Sequence, residues 1–136
     1  MPENTFIASV HRHLPASLYR MKNHNQYNGG IADVWYSGTK DLWIEYKFIA
    51  VPKRPDTVID LTTKPLKGDS VISTLQQEWL KARHAEGRAV GVIIGSKDGG
   101  VWCPGLTWMR TWTAQQFTST VQSRSLLASQ IQRTVS

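Results

Sequence analysis

Cysteine is almost missing from this chain: Cys103 is the only one in 136 residues. A single thiol excludes an internal disulfide and any cysteine-rich zinc knuckle. Long apolar runs are missing too, and none approaches the ~20 residues a membrane-spanning helix needs. The opening MPENTFIASVHRHL is amphipathic and lacks the charged start and apolar centre of a signal peptide. These absences point to a chain made and used in a cytoplasm, with no membrane partner. Acidic residues are outnumbered, 10 against 16 lysines and arginines. Internal repeats and low-complexity tracts are absent.

What remains is ordinary globular material, 40% hydrophobic and 19% charged. The length suits one domain, residues 1–136, with a real core. The formal charge of +6 and a pI near 9.7 favour a polyanionic partner, nucleic acid ahead of an anionic membrane surface.

Apolar groups at Phe6, Ile7, Val10 and Leu14 have helical spacing, so residues 3–14 read as a helix that Pro15 stops. Residues 17–21 suit a first strand, followed by the polar loop KNHNQYNGG, whose Asn28-Gly29-Gly30 is turn punctuation. IADVWY and DLWIEYKFIAV then read as two strands joined by a turn at Ser37-Gly38-Thr39-Lys40. Residues 50–70, with three prolines and four basic residues, read as a mobile connection apart from Val58-Ile59-Asp60-Leu61. A second helix is expected over residues 71–86, with Leu75, Trp79 and Ala82 on one face and Gly87 as its stop. AVGVIIG, residues 89–95, reads as a strand covered on both faces. Val101-Trp102 begins another short strand. Thr113 caps a C-terminal helix that residues 125–133 continue. The order predicts an α/β mixed sheet: antiparallel strands where connections are short, and a parallel return after the second helix.

Charged residues inside the strand pair are the anomaly. If the turn spans residues 37–41, Tyr36 faces Leu42 and Asp33 stands opposite Glu45 on the same face. Two carboxylates so placed repel each other unless a cation lies between them. Glu45 and Lys47 also share that face, while Leu42, Ile44, Tyr46 and Phe48 take the other and are buried. Two acids and an ammonium at one patch suit a hard divalent ion, Mg²⁺ or Mn²⁺, which wants oxygen ligands. Such an ion activates water for attack on a phosphodiester, and Lys47 offers a point charge for that reaction. A one-residue slip in register would remove the site.

At these residues the chain resembles the PD-(D/E)XK nuclease superfamily, with a particular likeness to small phage-type endonucleases and VRR-nuclease domains. The match is Gly30-Ile31-Ala32-Asp33 and Glu45-Tyr46-Lys47, within a helix–three strands–helix–strand order over residues 3–96. The resemblance implies a restriction-endonuclease-like core, with Asp33 and Glu45 as metal ligands and Lys47 as catalytic lysine. It further implies Glu3 and Gln76 as auxiliary site residues, and a phage-encoded source. Ala32 stands where the family usually has proline, and residues 50–70 are an insert relative to it.

Each residue also has a plainer reading. Asp33, Glu45 and Lys47 suit the solvent face of an amphipathic hairpin. Glu3 suits the positive end of its helix dipole, although it also shares a stripe with Ile7, Val10 and Leu14. Ser73-Thr74-Leu75-Gln76 fits a capping box, and Gln77 rivals Gln76 for any functional role. Lys22, His24, Lys53 and Arg54, like Lys64 and Lys67, suit either phosphate contacts or solvated surface. His11 and His13 lie on different helix faces, Cys103 suits packing, and Trp43 suits either core or base stacking. The expected activity is a Mg²⁺- or Mn²⁺-dependent deoxyribonuclease. The alternative is a catalytically inactive nucleic-acid-binding module of the same fold. A homodimer is the arrangement by which so small a chain would cut both strands.

Overall fold

The computed structural model describes residues 2–23 and 29–136. Helix α1 (Pro2–His11) buries Phe6, Ile7 and Val10, as their spacing implies, and Ser9 besides. It ends earlier than the apolar pattern does, although Leu14 beyond it is still buried. Strands β1 (Tyr19–Lys22), β2 (Val34–Ser37) and β3 (Asp41–Phe48) follow. Next come β4 (Val58–Ile59), α2 (Thr74–Ala85), β5 (Val90–Ser96) and β6 (Gly99–Pro104). A 3₁₀ turn (Thr107–Met109), β7 (Trp112–Thr113), α3 (Ala114–Thr120) and α4 (Arg124–Thr134) complete the chain.

The main sheet has the order β1-β2-β3-β5-β6, and β4 pairs with β7 in a separate ribbon. Among the described strands only β3 and β5 run parallel, because α2 carries the chain back across the sheet between them. The hairpin register is the one the turn length implies: Tyr36 faces Leu42, Trp35 faces Trp43 and Val34 faces Ile44. All seven residues of β5 are buried, as its unbroken apolar run implies.

Two cores flank the sheet. Val34, Tyr36, Leu42, Ile44 and Tyr46 pack beneath α1 and α4. On the other side Val90, Val92, Ile94 and Cys103 meet Leu80 of α2, Trp108 and Phe117. Ile59, Leu61 and Ile72 join this second core, so part of the proline-rich stretch 50–70 is anchored.

Helix α2 corrects the expected face. Leu80 is its one buried residue; of the expected stripe Trp79 is half-buried against the second core, whereas Leu75 is 58% exposed and Ala82 is exposed. The Ser73 cap sets the helix start, and Gln76 and Leu80, one turn apart, face the sheet instead. The C-terminal helix is also interrupted. Gln122 breaks it by pairing with Gly100, through N–H···O bonds of 2.8 and 2.9 Å, so α3 and α4 are separate.

Candidate metal centre

Asp33 precedes β2 at the point where the β2–β3 ladder ends. Its Oδ2 accepts the backbone N–H of Tyr46 at 2.9 Å, supplying the acceptor that a longer strand would have offered. That bond ties Asp33 to β3 beside Glu45. Upstream, Gly30 adopts φ +88°, and a Cβ there would lie 2.5 Å from the Leu75 carbonyl oxygen. Only glycine permits this approach. It brings the segment leading to Asp33 against the first turn of α2.

Glu45 is 1% exposed, and its carboxylate lies inside the protein rather than on a solvent face. Glu3, in the first turn of α1, completes an acidic cluster. One carboxylate oxygen from each of Glu3, Asp33 and Glu45 lies within 4.8 Å of the others. Lys47 Nζ is 3.4 Å from Glu45 Oε2. The Gln76 side chain donates to the same Oε2 at 2.9 Å. Its Oε1 accepts the Ser73 N–H at 2.9 Å, and Ser73 Oγ accepts the Gln76 N–H at 3.2 Å. The capping and site readings of Gln76 are therefore one arrangement: the cap holds the amide in place for Glu45.

Burial, and then the negative charge of Asp33, push the Glu45 pKa up to about 9, against the pull of Lys47. The ion-pair distance alone would suggest the opposite shift. Desolvation wins because one ammonium cannot replace the water that a buried carboxylate has lost. Glu3 is raised as well, by burial and then by Asp33. Glu45 Oε1 is buried and accepts no N–H or O–H among the described residues, while the Asp33 carboxylate lies close enough to the Glu45 carboxyl to share its proton. An orphaned carboxylate oxygen beside two further carboxylates fits a hard divalent cation, which would replace the missing partner and offset the repulsion.

Not every candidate residue joins the cluster. Lys22 lies on β1 and donates to Asn4 Oδ1 at 3.1 Å, at the rim near Glu3. Lys53 and Arg54 are exposed beside the start of α3, where Pro55 O accepts the Gln115 N–H at 3.0 Å. His24 and Asn28 lie outside the described residues. Gln77 turns away from the acids, and its amide holds Thr62 O, Ser70 Oγ and Ile72 O at 3.1, 3.2 and 2.7 Å. His11 Nε2 is 2.7 Å from the Tyr36 hydroxyl, which reaches the Tyr46 hydroxyl at 2.5 Å, so it belongs to the core beneath the site. Sequence reasoning missed the Tyr46 amide as the anchor of Asp33, because no side-chain pattern announces a backbone donor.

The architecture has a solved counterpart. It is similar to Hjc, a Holliday junction resolvase from the archaeal hyperthermophile Archaeoglobus fulgidus, with a TM-score of 0.53 and 12% identity over 93% of this chain and 99% of that one. The fold is restriction-endonuclease-like. No family model matches the chain, and no curated protein matches it. Within the restriction-endonuclease-like fold the acids sit where β2 and β3 part, with Glu3 and Gln76 arriving from the first turns of α1 and α2.

Proposed function

We propose that this protein is a divalent-metal-dependent endonuclease that hydrolyses DNA phosphodiester bonds. The observation that carries the reading is the orphaned Oε1 of Glu45, buried within the Glu3–Asp33–Glu45 cluster and beside Lys47. Asp33 and Glu45 would hold Mg²⁺ or Mn²⁺, with the Glu3 carboxylate beside them. When bound, such a cation would supply Lewis-acid activation of water and offset charge on the phosphate. In the hydrolysis a water oxygen bonds to phosphorus while one ester P–O bond breaks. The attacking water gives up a proton and the leaving oxygen gains one.

Lys47 is the cation of the protein itself at this position. Its Nζ lies near Glu45 and is positioned to orient the attacking water and to stabilise charge on the phosphorane. Gln76 acts by positioning: its amide fixes the Glu45 carboxylate, and its cap fixes the amide. The similarity to a Holliday junction resolvase supports this reading through the fold, and the excess of basic residues supports DNA as the polyanion.

Cutting is tested by incubating plasmid and branched DNA with Mg²⁺ or Mn²⁺. Wild-type protein is expected to nick or cut, and Lys47→Ala to lose at least about 100-fold in rate, the scale of one lost charge-stabilising group. Equal rates in the two proteins would remove Lys47 from the reaction. Metal-independent binding with a steep salt dependence and no product would instead identify a binding module.

A further inference from the structure

Each of three site residues has a tryptophan two or three positions away on the same face: Trp35 for Asp33, Trp43 for Glu45 and Trp79 for Gln76. Residues two apart in a strand share a face, as do residues three apart in a helix. The rings accordingly form one row beside the acids. Trp35 and Trp43 stack, with centroids 6.0 Å apart and planes 20° apart. Trp79 meets Trp43 edge-on at 5.5 Å, and Tyr19 meets Trp35 edge-on at 5.5 Å.

Trp43 and Trp79 are half-buried against the second core, but the row is open at its Tyr19 end. Tyr19 is 58% exposed and Met21, beside it, 44%. Met21, Trp35, Trp43 and Trp79, with Arg83, Arg88 and the carboxylate of Asp41, line a shallow cavity of about 370 Å³, within the ~300–1,000 Å³ typical of small-ligand clefts. The Trp35 Nε1–H is buried within the row and has no acceptor among the described residues. Glu86 holds both guanidinium groups at the cavity edge, Arg83 at 2.9 Å and Arg88 at 3.2 Å, and Arg83 also lies over the Trp79 ring at 5.6 Å. The row thus combines flat aromatic surface with two arginines that share one carboxylate, and it passes through Trp43, about 7 Å along β3 from Glu45.

We infer that this row binds unpaired nucleotides of a DNA strand, stacking a base on Trp35 and Trp43 while Arg83 and Arg88 receive its phosphates. The inference rests on the nuclease reading and narrows its substrate to DNA that is single-stranded next to the bond being cut. The physical reason is access. In a duplex each base face is covered by its neighbours, so an aromatic row can take a base only from an unpaired strand. The cations address phosphates without regard to sequence.

The test is binding measured by fluorescence anisotropy in EDTA, with a labelled oligothymidine and a blunt duplex of equal length as probes. Wild type is expected to favour the single strand. Trp35→Leu and Tyr19→Ala are each expected to weaken single-strand binding about fivefold or more, with duplex binding and circular dichroism unchanged. Trp35→Phe, which keeps a stacking face, is expected to retain most of the affinity. Tyr19 is exposed enough that its loss leaves the fold intact. Unchanged single-strand affinity in both variants would overturn the inference. So would a wild-type dimer that Trp35→Leu splits, because the row would then be a contact between copies. The two readings fail separately. Tryptophan-dependent single-strand binding without any cutting sinks the nuclease alone. Cutting of both DNA forms, indifferent to Trp35→Leu, sinks the aromatic row alone.

Discussion

The side-chain amide of Gln76 lies 2.9 Å from Oε2 of Glu45, joining the first turn of α2 to the buried acid of β3. The other end of the same amide closes the capping box with Ser73. Helix start and site geometry are one structure, so a change in either is felt in both.

Replacing Gln76 by alanine removes the cap interaction and leaves Glu45 Oε2 with Lys47 alone. The expected cost is roughly 1–2 kcal/mol of stability, together with weaker metal binding. Gln76→Glu can rebuild the cap but adds a fourth acid at the cluster. Its thermal midpoint is therefore expected to depend on added Mg²⁺ more steeply than that of the wild type. Differential scanning fluorimetry across a metal titration checks both outcomes, and a Gln76→Ala protein as stable as wild type would show that the cap does not matter.

Glu45 is a stability burden when no cation is present. Its pKa is about 9 in the folded chain, against an ordinary value of 4.5. Between those values the folded state holds a proton that the unfolded chain releases. The Glu45 contribution to stability is therefore full below pH 4.5 and is lost as the pH climbs towards 9. In EDTA at pH 8, Glu45→Gln is expected to melt several degrees above wild type, and near pH 5 the gap should close. Added Mn²⁺ should raise the wild-type midpoint and leave the variant unmoved. A variant that still gains from Mn²⁺ would show that the ion binds elsewhere.

His11 carries the opposite sign. Burial, with help from Arg20 and Lys22, lowers its pKa from 6.5 to about 4 while it pairs with Tyr36. Its contribution is complete above pH 6.5 and is lost as the pH falls through 4. Urea midpoints at pH 7 and pH 4.5 should differ more for wild type than for His11→Gln. Identical acid sensitivity in the two proteins would remove His11 as the cause.

Gln77 offers two amide hydrogens to three acceptors, Thr62 O, Ser70 Oγ and Ile72 O, and so closes the loop between residues 62 and 72. In Gln77→Ala that loop should open more often, and trypsin should cut after Lys67 about tenfold faster. Mass spectrometry of the fragments locates the cut. An unchanged rate would mean that the buried Leu61 and Ile72 hold the loop without Gln77.

The hairpin was legible because two local rules agree: turn length sets the register, and alternation sets the faces. The α2 face was not legible. Leu75, Trp79 and Ala82 make a convincing apolar stripe, yet the helix turns two glutamines and Leu80 inward because Gln76 has a carboxylate to meet. The run Val58-Ile59-Asp60-Leu61 stands out from the proline-rich stretch. That Ile59 and Leu61 enter the second core beside Ile72 was not legible, since so short a run does not say what it packs against.

By itself the sequence determined the strand pairing, the doubly covered β5, the caps at Ser73 and Thr113, and the placing of Asp33, Glu45 and Lys47 on one face. These depend on neighbours in the chain, whose spacing the backbone geometry dictates. Only the tertiary structure decided that Glu3 and Gln76 close around Glu45, that one Glu45 oxygen is left without a partner, and that four aromatic rings line up beside it. Such contacts join segments far apart in sequence. Their outcome rests on which helix face packs on the sheet, a balance of burial and hydrogen bonding that no local pattern encodes.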